Sequence, residues 1–269
     1  MLPHFLGVLI FALLPFLDVV RRSFCKAAGG FCGLENYIAV WKNEAFRLAA
    51  GNTLRFTLVC LPVLLLLSLA LSLLLYGIGR GGTLFKNVFL MPMAIPAACV
   101  ALIWRLLFDA GGIINGVLAA FSCPTVDWMH TDSAFWVLVC SYLWKNTGYV
   151  IVLWLAAMAG IPQSVYEAAR LDGTGRAACF RYITLPCLAP AAYTIAVLSF
   201  LNSFKVFREA YLVAGNYPQR SIYLLQHVFN NWFLDLSVDK MAAGAVMLAL
   251  FVCAAVWALG RAISSGPRI

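Results

Sequence analysis

Charge is scarce in this sequence: 11% of its 269 residues are charged, whereas 63% are hydrophobic. Soluble domains carry roughly 25% charged and roughly 45–50% apolar residues. A disordered chain is poorer still in apolar residues, because low hydrophobicity is what keeps it unfolded. An ordinary cytosolic enzyme, a small secreted disulfide domain and a disordered protein are therefore all poor fits.

Several motifs that carry chemistry are missing. The nine cysteines contain no C-x-x-C pair, and no His/Cys cluster has metal-ligand spacing. No G-x-x-x-x-G-K-[ST] sequence occurs, so the chain is not expected to bind ATP through a P-loop. His4, His130 and His227 are scattered, without a Ser/His/Asp or paired-carboxylate arrangement, and His227 is expected at the surface of an outer loop. The sequence predicts a chain that is not an enzyme and holds no catalytic residue, metal or cofactor of its own.

A glycine-rich stretch at residues 77–82 matches G-x-G-x-x-G by spacing alone. A dinucleotide site requires this motif to follow a strand, but here it follows a long apolar segment. A turn after a membrane helix is the favoured interpretation.

Long uncharged blocks are what the sequence does contain. Phe56–Ile78 has 23 residues without a charge, Pro186–Phe204 has 19 and Met241–Gly260 has 20. An apolar run of about 18 residues or more is long enough to cross the ~30 Å hydrocarbon core of a bilayer as a helix. The chain is therefore predicted to be a polytopic membrane protein.

Six spans can be drawn, and each is predicted to be helical because a segment in lipid must satisfy its own backbone hydrogen bonds. The predicted spans are residues 3–20, 53–78, 86–108, 134–161, 185–207 and 241–261. Pro92 and Pro96 fall in the third, where they indicate either a bent structural helix or a helix that lines a pathway. Residues 1–269 are expected to form a single all-α transmembrane domain.

The net charge of +8 raises the question of nucleic-acid binding. The basic residues stand singly or in pairs between apolar blocks, which favours cations that flank membrane spans. With both ends inside, Lys and Arg are divided between the two sides, so their count does not decide the orientation.

The segment at residues 162–184, between the fourth and fifth spans, carries helix signals. Pro162 ends the preceding span, and Ser164 with Glu167 forms an S-x-x-E capping box. Gly173 is a left-handed stop, and Leu185-Pro186 restarts a helix. The pattern predicts a short helix lying across the membrane face, although from these signals alone a plain connecting loop is an equal alternative.

This segment resembles the EAA loop of permease subunits in binding-protein-dependent ABC importers. Glu167-Ala168-Ala169, Gly173 and the Ile183-x-Leu185-Pro186 stretch stand at the spacing of that motif. The resemblance extends over nearly the whole chain and favours the carbohydrate-uptake branch, of the maltose and glycerol-3-phosphate type. It implies the six-span permease fold, a cytoplasmic loop whose short helix docks in a groove of the ATPase subunit, and a coupling role for Glu167, Ala168, Ala169 and Gly173.

The resemblance also implies partners and a location. They are a second permease subunit, two ATP-binding cassette subunits that bind the ATP, an extracytoplasmic solute-binding protein and the plasma membrane of a bacterial cell. The sequence departs from the family at Arg208, where relatives often carry an acid. A stand-alone secondary transporter is the alternative, but it needs ion-coupling residues, and Lys145 is the only ionisable group that the sequence places deep in a span.

Two polar stripes at helical spacing form the candidate substrate pathway. They comprise Tyr142, Lys145, Asn146 and Tyr149 on the fourth span, and Ser199, Asn202, Ser203 and Val206 on the fifth. A Lys near the middle of a span costs about 2.5–3.5 kcal/mol on insertion scales, so it normally faces a cavity or a partner. Packing between helices is the alternative role for these stripes. Lys145 itself either favours a phosphate or acidic sugar or extends toward the outer interface.

Overall fold

A computed structural model describes residues 2–26, 29–76 and 82–264, and these are predominantly helical. The first seven helices are α1 Leu2–Val8, α2 Leu14–Ser23, α3 Glu35–Lys42, α4 Glu44–Tyr76, α5 Gly82–Ala94, α6 Ala97–Phe108 and α7 Ile113–Ala120. The next seven are α8 Ser133–Ala159, α9 Gln163–Leu171, α10 Arg176–Cys179, α11 Leu185–Ser203, α12 Phe207–Ala214, α13 Leu225–Leu234 and α14 Val238–Ser264. Short π or 3₁₀ turns join α1 to α2, α10 to α11 and α11 to α12.

Five helical stretches in the described part of the chain are long and apolar enough to cross a membrane. They are Pro3–Ser23, Glu44–Tyr76, Ala97–Ala120, Arg176–Ala214 and Val238–Ala262. A sixth arises if α8 and α9, which meet at an angle of 67°, are counted as one bent span. The third predicted span is divided, because α5 ends at Ala94 and α6 begins at Ala97 with Pro96 as its N-cap. The glycine-rich stretch lies at 77–82, of which residues 77–81 are outside the described residues.

The fifth span begins earlier than the sequence signals suggested. The α-helix α11 begins at Leu185, as the sequence predicts, but helical turns already start after Gly175, the N-cap of α10, and continue to Ala214. A π turn at Phe180–Thr184, in which the Leu185 N–H donates to the Phe180 carbonyl, directly precedes the proline. A widened turn accommodates a residue that has no N–H to donate and whose ring crowds the carbonyl four residues earlier.

The chain forms two compact units. The first comprises Met1–Leu54, Asn216–Pro218 and Tyr223–Ala255, and the second comprises Arg55–Gly215, Gln219–Ile222 and Val256–Ile269. The core of the first unit contains Val40, Phe46, Ala49, Tyr223, Leu225, Val228, Trp232 and Ala243. Within that core the rings of Phe46 and Trp232 stack with centroids 6.0 Å apart.

His227 lies in the first unit and is fully buried, so its expected surface position is wrong. The Leu224 N–H donates to His227 Nδ1 over 3.0 Å and thereby satisfies a backbone group at the start of α13. Burial lowers the pKa of His227 to about 4, which leaves the ring neutral at pH 7. Its neighbours Leu225 and Val228 belong to the core, and His227 is buried together with them. A single histidine in a sequence gives no indication of such burial.

In the second unit, α8 is packed against α5 without space for a side chain between them. A Cβ on Gly148 would meet the Phe89 carbonyl oxygen at 1.8 Å. Farther along α8, Trp154 Nε1 donates to Ser68 Oγ over 3.1 Å, which ties α8 to α4. Glycine at residue 148 is thus required by the close approach of two backbones.

Asn115, on α7, organises the loop that follows this helix. Its Nδ2 donates to the carbonyl oxygens of Asp109 (3.3 Å), Ala110 (3.0 Å) and Val126 (2.9 Å). Its Oδ1 accepts from the Val126 N–H at 3.1 Å and from Trp128 Nε1 at 3.0 Å. Asn115 itself is 3% exposed, so its amide depends on these protein partners for its hydrogen bonds.

We expect Asn115→Ala to lower the melting temperature of the detergent-solubilised protein by several degrees. The substitution leaves buried donors and acceptors unpaired, at a cost of about 1–3 kcal/mol for each group that finds no water. Thermal unfolding followed by tryptophan fluorescence measures the effect, and Asn87→Ala, at an exposed amide, is the control. Equal melting temperatures for the two variants would contradict a structural role for Asn115.

Candidate functional site

The short helix α9 lies between the fourth and fifth predicted spans, as the sequence indicates. Gly173 has φ +70°, a left-handed conformation that ends the helix. The Gly173 N–H donates to the Arg170 carbonyl (3.1 Å), and the Thr174 N–H donates to the Ala169 carbonyl (3.0 Å). These two bonds form a Schellman motif, so the predicted glycine stop is confirmed in its geometry.

The predicted capping box at the start of α9 is wrong. Pro162 is the N-cap and the helix begins at Gln163, which places Ser164 inside the first turn, where it makes no capping hydrogen bond. Pro162 has φ −57° and ψ 133°, an extended conformation from which a helix can start directly. The proline therefore determines the boundary, which the S-x-x-E pattern predicted two residues too late.

The EAA residues of α9 differ in their exposure. Glu167 and Ala168 are exposed, whereas Ala169 is 7% exposed and packs inside the chain. Of the two alanines, Ala168 is therefore the one that lies on the surface of α9. Leu171 is 90% exposed, an unusual position for a leucine unless another surface covers it.

One hydrogen bond ties α9 to the start of the fifth span. The Tyr166 hydroxyl lies 3.2 Å from Thr184 Oγ1, in the π turn that precedes α11. This bond is a direct contact between α9 and the base of the long helical stretch that ends at Ala214.

A cavity of about 210 Å³ lies in the second unit, where α8 meets the end of α11 and α12. Five of the eight predicted pathway residues line it, namely Tyr142, Lys145, Asn146, Asn202 and Val206. The two stripes thus meet in space, at positions that the helical spacing indicated. Contact with a solute at these residues stays a prediction.

The other three pathway residues do not line this cavity. Ser199 is buried, and its carbonyl accepts from the Tyr142 hydroxyl over 3.1 Å. Ser203 Oγ donates to the Phe200 carbonyl over 2.7 Å within its own helix. Tyr149 is half-buried outside the lining. Ser199 and Ser203 are both buried, and their contact with a solute stays a prediction.

Lys145 forms an ion pair, which the sequence did not identify. Its Nζ lies 2.5 Å from Glu209 Oε1, and the two side chains are 18% and 10% exposed. Lys145 is therefore not the only ionisable group at this depth. Neither interpretation of Lys145 made from the sequence included an intramolecular carboxylate, because Glu209 lies beyond the predicted end of the fifth span at residue 207.

Five further lining residues were missed by sequence reasoning: Met93, Ser141, Lys205, Arg208 and Glu209. Met93 precedes the break between α5 and α6, so the interrupted third span does contribute to the wall of the cavity. Lys205, Arg208 and Glu209 lie next to the predicted stripe, around and just beyond its last residue, Val206. The signal that would have found Glu209 is the requirement of a buried Lys for a counter-ion.

The sequence matches the family model of the binding-protein-dependent transport system inner membrane component over residues 67–263. A trehalose/maltose transport system permease protein, MalF of Thermococcus litoralis, is 30% identical over 261 residues, covering 93% of this chain and 87% of that protein. An sn-glycerol-3-phosphate transport system permease protein, UgpA of Yersinia pestis, is 30% identical over 227 residues, covering 82% and 76%.

Solved structures share the fold. A bacterial ABC transporter involved in the import of the acidic polysaccharide alginate contains a chain that superposes with a TM-score of 0.84 at 20% identity, covering 99% of this chain and 94% of that one. A chain of a bacterial alginate ABC transporter in complex with an alginate-pentasaccharide-bound periplasmic protein gives a TM-score of 0.83, also at 20% identity. The expected all-α importer-permease fold is confirmed.

Proposed function

Because this chain belongs to the family of binding-protein-dependent transport system inner membrane components, we propose that it carries sugars or sugar derivatives across the membrane. It is the permease subunit of an ATP-driven importer and not an enzyme. The relatives that match over most of the chain transport trehalose and maltose or glycerol 3-phosphate, which supports a carbohydrate-type solute. A stand-alone secondary transporter, the alternative from the sequence, does not fit this membership.

The exposed surface of α9 is the observation that carries the proposed coupling role. Glu167, Ala168 and Leu171 are exposed on a helix of nine residues that ends in a Schellman motif. Within the described residues the Glu167 carboxylate makes no ion pair, so it is available to a partner. The proposal is that α9 docks in an ATPase subunit through these side chains, with Gly173 setting the end of the docked helix.

The complete importer is proposed to contain a second permease subunit, two ATP-binding cassette subunits that bind the ATP, and an extracytoplasmic solute-binding protein. Its location is the plasma membrane of a bacterial cell. ATP-driven closure of the ATPases moves α9 and, through the Tyr166–Thr184 hydrogen bond, the fifth span. Coupling of this kind requires ATP and the solute each to bind two conformations with different affinity.

The cavity between α8, α11 and α12 is the proposed solute pathway. Sugar hydroxyls need hydrogen-bond donors and acceptors beside apolar or aromatic surface, and this lining supplies Asn146, Asn202 and Tyr142. The cavity is smaller than the ~300–1,000 Å³ of a site for a drug-sized ligand, which suits one sugar unit at a time.

The coupling role predicts that Glu167→Ala lowers solute-stimulated ATP hydrolysis by the assembled complex about tenfold or more, as expected for the loss of a central interface residue. Glu44→Ala, at an exposed glutamate on α4, is the matched control and should leave the stimulation unchanged. The measurement is phosphate release with and without the solute-loaded binding protein. A Glu167→Ala complex that assembles and responds like the control would disprove the role of α9.

A further inference from the structure

Building on the proposed solute pathway, we propose that this cavity selects an anionic sugar, held through its carboxylate or phosphate by Lys205 and Arg208. The inference deepens the proposed function by naming the chemical class of the solute. It depends on the charges that the structure brings to the cavity and on which of them are already neutralised.

The cavity has a surplus of positive charge. Its lining contains the cations Lys145, Lys205 and Arg208 but a single carboxylate, Glu209, which gives a net charge of +2. A concave site of low dielectric lined by one sign of charge concentrates ions of the opposite sign. A neutral sugar gives these charges nothing to pair with, whereas an anion compensates them.

The Lys145–Glu209 ion pair determines which cations of the cavity are available to bind an anion. Lys145 is neutralised by Glu209 at 2.5 Å, so the surplus belongs to Lys205 and Arg208. Both of these side chains are exposed at the cavity, and in residues 2–26, 29–76 and 82–264 neither forms an ion pair. They are three residues apart across the junction of α11 and α12, which places them on the same side of the helical path.

The two cations have complementary chemistry. The Arg208 guanidinium is a planar fork that can donate two parallel hydrogen bonds to a carboxylate or phosphate. The Lys205 ammonium acts as a compact point charge that reinforces it. Beside them the Asn202 amide also makes no side-chain hydrogen bond with the described residues, so it remains available to a ring hydroxyl. The arrangement fits a sugar with one acidic substituent.

A matched set of sugars tests the inference: D-galacturonate, D-galactose 6-phosphate and D-galactose, which differ only at the sixth carbon. Their equilibrium binding is measured on the assembled importer in nanodiscs. We expect one of the two anions to bind about tenfold or more tightly than galactose, with a preference that weakens as salt is raised. The relative affinity of the two anions distinguishes carboxylate from phosphate recognition.

Variants of the two cations distinguish an effect of their charge on binding from an effect of the shape of the site. Lys205→Gln/Arg208→Gln should remove the preference for the anion, whereas the charge-conserving Lys205→Arg/Arg208→Lys should retain most of it. Lys42→Gln, at an exposed lysine outside the lining, is the control and should bind like the parent protein. Size-exclusion chromatography of each complex verifies that the variants assemble.

Three results would overturn the inference: galactose binding as tightly as the anions, none of the three sugars binding, or the preference surviving in the Gln/Gln variant. The ATPase assay with the solute-loaded binding protein distinguishes this failure from failure of the proposed function. A complex that hydrolyses ATP in response to its binding protein but shows no anion preference remains a permease with a different solute class. If the complex does not hydrolyse ATP in response to its binding protein, both proposals are contradicted.

Discussion

Gly148→Ala is expected to prevent α8 and α5 from packing as they do in the native chain. The added Cβ would lie 1.8 Å from the Phe89 carbonyl oxygen and 2.3 Å from its carbonyl carbon. These are backbone atoms, so no side-chain rotation relieves the overlap and one helix must shift. Overpacking of a core costs about 1–3 kcal/mol when side chains can adjust, and a backbone clash should exceed that range.

The effect of Gly148→Ala should extend beyond the contact between Gly148 and Phe89. Phe89 packs on a small core formed by Leu75, Ile151 and Leu155, so a displaced α5 disturbs the α4–α8 contact as well. Yield of monodisperse protein and melting temperature in detergent measure the loss. Gly116→Ala is the control, because a Cβ there meets nothing within 4 Å and the change to alanine favours a helix. Equal behaviour of the two variants would show that the helices tolerate the shift.

Glu209→Leu should be the second strongly destabilising change. It leaves the Lys145 ammonium without a counter-ion at a site where its side chain is 18% exposed. Removing one member of a buried pair costs about 3–5 kcal/mol, and the remaining exposure places this pair at the lower end. We expect the double variant Lys145→Met/Glu209→Leu to recover most of the loss, since no charge then remains unpaired.

An exposed pair in the same protein provides the comparison. Lys26 and Glu35 lie 3.2 Å apart, but their side chains are 58% and 66% exposed. Exposed ion pairs contribute about 0–1 kcal/mol, so Glu35→Leu should have little effect on the melting temperature. A Glu209→Leu variant as stable as the parent protein, or a double variant no better than the single one, would contradict the importance of the buried pair.

The residues at which helices begin were harder to predict from the sequence than the presence of the helices. The sixth predicted span, 241–261, lies within α14, whereas the fifth was expected to start at residue 185, where α11 does begin, but helical turns already precede it from Arg176. Proline normally indicates the first turn of a helix. Here a π turn before Pro186 makes the helical turns continuous on both sides of it. Proline signals a constraint on the backbone, and the conformation of the preceding turn decides how that constraint is met.

The candidate site was predicted in part because helical spacing indicates which residues share a face. Spacing placed Tyr142, Lys145 and Asn146 on one face of one helix, and Asn202 on one face of another, and the structure shows that these faces meet. Arg208 was noticed only as a departure from the family, and Glu209 was not considered. Their role depends on which helices meet at the cavity, and periodicity along a single helix does not contain that information.

The sequence alone determined that this chain lies in a membrane, that it is helical, and that α9 stands between two spans with the residues of the EAA motif. These features follow from local constraints: the length of an apolar run, the need for backbone hydrogen bonds in lipid, and a glycine in the left-handed conformation. Each constraint involves residues that are close in the sequence, so the sequence is sufficient to predict it. The tertiary structure alone decided that Lys145 pairs with Glu209 and that Lys205 and Arg208 line the same cavity. The physical reason is that a charge acts through the partners it meets in space, and here the decisive partner lies 64 residues away in the sequence.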